Sequence, residues 1–220
     1  MKLPASGAAG HWQPDNAIGS NGVSNADDSL PPSGSTLRQA FEALVTTFDE
    51  RGIRYAIIGG IATIQHTRVR TTDDIDALLT VPQLAMPGLF EALRGRGFSL
   101  DVLGSIRDFR DGGMTTVRFK DVLVDLMRPV LPAYAHVLDR AISARIFGQT
   151  VRVSSAEGLI VMKLIAMRSQ DEADVQDLLA AYAGKLDLDY VRKELETFTE
   201  GSDPRRAKFE LWVAQLGQDE

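Results

Sequence analysis

Two aspartates separated by one residue, Asp74 and Asp76, open the apolar segment Asp-Ile-Asp-Ala-Leu-Leu-Thr-Val, and thirteen residues before them stands the pair Gly59-Gly60. On a strand, residues two apart point to the same face. Asp74 and Asp76 therefore project side by side, with Ile75 turned into the core. Carboxylates that close repel each other unless a cation sits between them. Magnesium takes oxygen ligands, keeps several waters and is commonly held by one or two carboxylates plus substrate phosphates. A third carboxylate, Asp125, lies in the apolar run Val122-Leu123-Val124-Asp125-Leu126-Met127. A charge there is costly to bury alone. If its strand neighbours the first, Asp125 completes a three-carboxylate site able to hold a second metal and activate a hydroxyl.

Gly59-Gly60 falls between a short apolar strand, Tyr55 to Ile58, and a short helix, Ile61 to Thr67. Without Cβ atoms such a turn lets a phosphate approach the backbone, and the helix start offers free N–H groups. Arg70 and Thr72, just before the aspartates, supply a phosphate contact and a local hydrogen bond in this reading. Lys163 is a lone cation on an otherwise apolar helix. Taken singly, each feature has a plain alternative. A Gly-Gly pair is a common turn, Asp125 can pair with Arg128 or Lys120 in a hairpin, and Lys163 can reach the surface along its own stem. Their order along the chain, and the apolar setting of each charge, point to one site.

The surrounding chain reads as a mixed α/β core followed by helices. Leu37, Phe41, Leu44, Val45 and Phe48 recur at helical spacing, predicting a helix over 36–51 that Gly52 ends. A second helix is expected over 83–96, interrupted or delayed by Pro87, and a strand over 98–103. Segments 114–119 and 122–127 read as a hairpin joined at Lys120-Asp121. A helix over 133–143 and a small hairpin over 145–153 follow. Ser154 and Glu157 form a capping-box pattern ahead of a helix through Met167. Further helices are expected from Asp171, over 189–198 and over 204–216. The predicted division is a disordered tail over 1–35, poor in large apolar residues, a core over 36–153 and a helical part over 154–220.

Composition narrows the function. The chain has no cysteine, which excludes disulfides, zinc thiolates and cysteine nucleophiles. Its net charge is -6, so a nucleic-acid partner would need a local basic patch. No apolar run approaches the roughly 20 residues that span a bilayer, and the first residues have no signal-peptide pattern. The expectation is a soluble cytoplasmic protein.

The segment Ile58-Gly59-Gly60, followed by Arg70-Thr71-Thr72-Asp73-Asp74-Ile75-Asp76-Ala77, resembles the signature of the polymerase-beta-like nucleotidyltransferase superfamily. It is similar in particular to the subgroup of AbiEii/AbiGii-type nucleotidyltransferase toxins. The later segment Met162-Lys163-Leu164…Arg168…Asp171…Asp174…Asp177-Leu178-Leu179 resembles the same subgroup more loosely. Two positions depart from it. Gly60 stands where better-known members carry Ser, and Gln170-Asp171 replaces the usual Arg-Asp step.

The resemblance, over about residues 36–183, implies a mixed-sheet nucleotidyltransferase core with a C-terminal helical part. It implies magnesium on Asp74, Asp76 and Asp125, triphosphate contacts from Gly59, Gly60, Arg70, Thr72 and Lys163, and transfer of a nucleoside monophosphate to a hydroxyl. The acceptor stays open between RNA, a protein hydroxyl and a small molecule such as an aminoglycoside. A cognate antitoxin is an implied partner. Two other classes are carried beside this one. A catalytically silent relative would act as a binding partner or antitoxin. A metal nuclease using Asp74 and Asp125 lacks the Glu-x-Lys strand pair that such enzymes commonly carry.

Overall fold

The structure, a computed structural model, describes residues 35–67 and 72–216. The expected tail, apart from Ser35, and Arg70 lie outside those residues.

The described chain opens on α1 (Thr36–Glu50), whose first turn is capped by Ser35 accepting from the Arg38 amide at 3.2 Å. Its buried stripe is Leu37, Ala40, Phe41, Leu44, Val45 and Phe48, the face the periodicity predicted. Gly52, at φ 61°, turns the chain into β1 (Arg54–Ile58). There follow α2 (Gly59–Thr67), β2 (Asp74–Thr80), α3 (Met86–Gly95), α4 (Val102–Arg107), β3 (Met114–Phe119) and β4 (Val122–Met127). Then come α5 (Pro132–Asp139), β5 (Ile142–Ile146) and β6 (Gln149–Val153). The last helices are α6 (Ala156–Ala166), α7 (Ser169–Ala181), α8 (Leu188–Phe198) and α9 (Pro204–Leu216).

The six strands form one mixed sheet in the order β3-β4-β2-β1-β6-β5. β1 runs antiparallel to β2 and parallel to β6, while β2 and β4 are parallel. β1 is buried at four consecutive positions, which fits a central strand covered on both faces. β3 alternates exposed and buried along its whole length, so one face at that end of the sheet is open. The opposite face, with Ile75, Val124 and Leu126 at 0% exposure, lies in the core, and α1 rests against β2 and β4.

Several expectations need correction. The strand over 98–103 reduces to one bridge, in which Ser99 and Arg118 exchange backbone hydrogen bonds of 2.7 and 3.2 Å. The chain then leaves the sheet because the Asp101 carbonyl accepts the Ser105 amide at 2.8 Å and starts α4. Leu103 is consequently 79% exposed on a helix rather than paired in a sheet. The helix expected over 133–143 stops at Asp139, leaving Ile142 to begin β5. The cap of α6 falls one residue later than predicted. Ser155 accepts from the Gly158 amide at 3.2 Å, while the Ser154 hydroxyl donates to the Ser155 carbonyl. Glu157 instead accepts the Asp187 amide at 3.2 Å. Helix α2 begins at Gly59 itself, so both glycines lie in its first turn.

Candidate active site

Strand register assembles the site. Asp76 stands opposite Ile58 on β1 and opposite Asp125 on β4. Asp74 stands opposite Leu123, which is 41% exposed on the open face. The three aspartates therefore share one face, Asp74 exposed and the other two half-buried. The last residue of β1 leads directly into Gly59 and α2, so the helix start lies beside Asp76.

The two glycines are needed for what lies immediately behind them. A Cβ on Gly59 would overlap the Asp76 carboxylate, and one on Gly60 would overlap the Thr72 hydroxyl. Gly59 also holds φ 62°, in the left-handed region. The Gly60 amide donates to the Asp76 carboxylate. In this structure the close backbone approach expected for a phosphate is thus first made to Asp76. A Gly59→Ala substitution is expected to cost about 2–4 kcal/mol, combining a left-handed non-glycine residue with overpacking. Thermal unfolding of the variant checks this. Wild-type stability would mean that Asp76 simply moves aside.

Thr72, 8% exposed, donates its hydroxyl to Asp74 Oδ1 and fixes that carboxylate's orientation. Thr116 on β3 stands opposite Asp125 and donates to Asp125 Oδ1 at 2.6 Å. Sequence reading missed Thr116. Only the β3–β4 register reveals it, although the hairpin itself was legible.

Burial pushes the Asp76 carboxyl up to about 6, and the negative charges of Asp74 and Asp125 push in the same direction. The Gly60 amide and the Arg168 guanidinium oppose the rise. Among the described residues no three carboxylate, histidine or cysteine side chains already converge as a metal cage. The donor set still fits a hard divalent cation, because it is all oxygen and its members repel each other for want of positive charge.

Lys163 is buried in an ion pair. Its side chain is 8% exposed, donates to Asp174 on α7 and stands 3.5 Å from Asp171 on the same helix. Asp171 Oδ2 also accepts the Arg168 amide at 2.9 Å, at the start of α7. The lysine thus ties α6 to α7. Nearby, His66 at the end of α2 bonds the Tyr182 hydroxyl at 2.7 Å and the Ser154 carbonyl at 2.9 Å. Burial lowers its affinity for a proton.

A mixed sheet of this order, flanked by helices and followed by a helical C-terminal part, is a nucleotidyltransferase fold. The chain belongs to the family DUF2204, described as a nucleotidyl transferase of unknown function, whose family model matches residues 37–208. The solved structure of ANT(2")-Ia in complex with adenylyl-2"-tobramycin is similar to it, with TM-score 0.51 and 15% identity over 81% of this chain and 99% of that one. An antigenic nucleotidyltransferase-like protein from Paracoccidioides brasiliensis matches with TM-score 0.45 and 18% identity, over 82% and 95% of the two chains. A solution structure of ANT(2'')-Ia gives 0.43 and 18%, over 84% and 96%. At these identities the likeness is one of fold. No curated protein matches the sequence. Among the described residues no helix is long and apolar enough to cross a membrane.

Proposed function

We propose that the protein transfers a nucleoside monophosphate from a nucleoside triphosphate to an acceptor hydroxyl, with magnesium as cofactor. The observation that carries this reading is the register Asp76↔Asp125, which puts a third carboxylate beside the Asp74–Asp76 pair on an open face. Asp74 and Asp76 would hold magnesium, and Asp125 would share in a second ion. When bound, such ions neutralise the charge of the triphosphate and of its leaving group.

The chain's own groups do the positioning. Gly59 and Gly60 set Asp76, Thr72 sets Asp74, and Thr116 sets Asp125. The acceptor oxygen attacks the α-phosphorus and a new P–O bond forms. The bond from that phosphorus to the bridging oxygen breaks, and pyrophosphate departs with the electron pair. The hydroxyl proton passes to the Asp125 carboxylate. Loss of a hydrogen bond that orients a general base costs on the order of tenfold in rate. Thr116→Val should therefore lower kcat about that much and leave KM for the triphosphate nearly unchanged. A changed KM with constant kcat would place Thr116 in nucleotide binding instead.

A cleft of about 520 Å³ opens between α4 and β3, lined by Leu100, Asp101, Ser105, Asp108, Met114 and Thr116 among others. It shares Thr116 with the Asp125 hydrogen bond, and its size suits a small hydroxylated acceptor. Arg107 also lines it, 3.6 Å from Asp108, so two aspartates stand against one cation, a poor fit to a polyanion. The subgroup reading, with RNA as acceptor and an antitoxin as partner, is the alternative outcome of the same test. Purified protein is incubated with each α-labelled triphosphate, magnesium and cell extract, with Asp74→Ala alongside. Label on a small molecule supports the reading, while label on RNA or protein reassigns the acceptor. Absence of label together with absence of magnesium-dependent triphosphate binding would indicate a silent binding partner.

A further inference from the structure

The nucleotidyl-transfer reading needs a cation to meet the outer phosphates, and the lysine that sequence suggests for this task is committed inside the protein. Lys163 is held between Asp174 and Asp171 with its side chain 8% exposed. Turning it towards a nucleotide would leave two α7 carboxylates without that charge. Four residues further on, the chain turns from α6 into α7 through Met167, at φ 47°, whose amide donates to the Lys163 carbonyl at 2.7 Å. Arg168 sits at this corner.

The corner is fixed from two sides. Asp171 Oδ2 accepts the Arg168 amide at 2.9 Å, and the Asp171 amide donates back to the Arg168 carbonyl at 2.9 Å. The other oxygen of Asp171 faces Lys163. Helix α7 also packs on α2, the helix that begins beside Asp76, and His66 bonds α2 to Tyr182 near the far end of α7. The backbone of Arg168 is therefore held while its side chain is exposed. Its guanidinium has no hydrogen-bond or ion-pair partner among the described residues. Because α2 and α7 pack on each other and are joined at their ends by His66 and Tyr182, the start of α7 with Arg168 lies towards the start of α2 beside Asp76, whose carboxyl feels the Arg168 charge. An arginine anchored by its backbone, with its planar donor fork unused beside a carboxylate cluster, is suited to a polyphosphate.

We propose that Arg168, and not Lys163, is the cation that binds the outer phosphates of the triphosphate. Lys163 has the different task of holding the corner from which Arg168 projects. This rests on the nucleotidyl-transfer reading of the same site, and the test separates the two.

The full-length protein and its Arg168→Ala and Arg168→Lys variants are titrated, with magnesium, against the four α,β-methylene nucleoside triphosphates and the corresponding monophosphates. For the triphosphate that binds best, Arg168→Ala is expected to weaken affinity about tenfold or more, since one charge-assisted contact is lost. Arg168→Lys should restore only part of it, because a lysine lacks the fork. Monophosphate affinity should change less than about twofold, and the melting temperature should stay within a few degrees, as for an exposed side chain. Unchanged triphosphate affinity in Arg168→Ala, or equal losses for triphosphate and monophosphate, would overturn the assignment while leaving nucleotidyl transfer standing. No triphosphate binding by the wild type would overturn both.

Discussion

Asp76→Asn is expected to give a protein that is more stable than the wild type above pH 7 without divalent cations, and that has lost at least about 10³-fold of its transfer activity. The stability gain follows from where Asp76 sits. Its carboxyl is raised to about 6 from an ordinary 3.8, first by burial and then by Asp74 and Asp125. A carboxyl raised in the folded state favours folding below pH 3.8, and that contribution is lost as pH rises through 6. Over this window the wild type without metal should lose about 1–3 kcal/mol. Asparagine keeps an acceptor for the Gly60 amide and carries no charge, so it escapes the loss. Melting curves in chelator at pH 4.5 and pH 8 should converge at the lower pH and separate at the higher. Magnesium should raise the wild type at pH 8 and leave the variant nearly unchanged. Parallel curves at both pH values would mean that the three carboxylates do not repel as the strand register implies.

The second large effect concerns Lys163. Replacing it with methionine keeps the length of the side chain and removes its charge, so Asp174 and Asp171 lose the lysine counter-charge at the α6–α7 contact. Breaking a buried pair from one side typically costs about 3–5 kcal/mol. Urea denaturation should show this as a lower midpoint with an unchanged slope. The double variant Lys163→Met with Asp174→Leu should recover much of the loss, because two apolar groups of similar shape need no counter-charge. A lysine whose task was to contact phosphate would behave otherwise: its removal would weaken nucleotide binding and leave the urea midpoint in place. Chemical denaturation and nucleotide titration of one variant thus separate the two roles.

The local elements were largely legible because their causes are local. The stripe from Leu37 to Phe48 marks α1 whatever lies opposite it, and the alternation in Met114 to Met127 marks a hairpin. The pairing of Asp74 and Asp76 on one face follows from strand geometry alone. What was hidden depends on partners distant in sequence. Residues 98–103 have the composition of a strand, but only Ser99 finds a neighbour before Asp101 starts a helix. Asp125 required the parallel β2–β4 register, and Thr116 required the register of β3 upon that. Lys163 looked available because its counter-charges lie a turn and a helix later, where Gln170-Asp171 departs from the pattern the subgroup shows. Arg70 lies outside the described residues.

The reading of this site stands on which bond of the triphosphate is broken. Purified protein, magnesium and extract would be supplied in parallel with α-labelled and γ-labelled forms of one triphosphate, and both the acceptor and the released phosphate followed. Nucleotidyl transfer predicts α-label on the acceptor, γ-label in free pyrophosphate, and neither in the Asp74→Ala variant. Label from the γ-position on the acceptor, or triphosphate consumption that persists without Asp74, would contradict it.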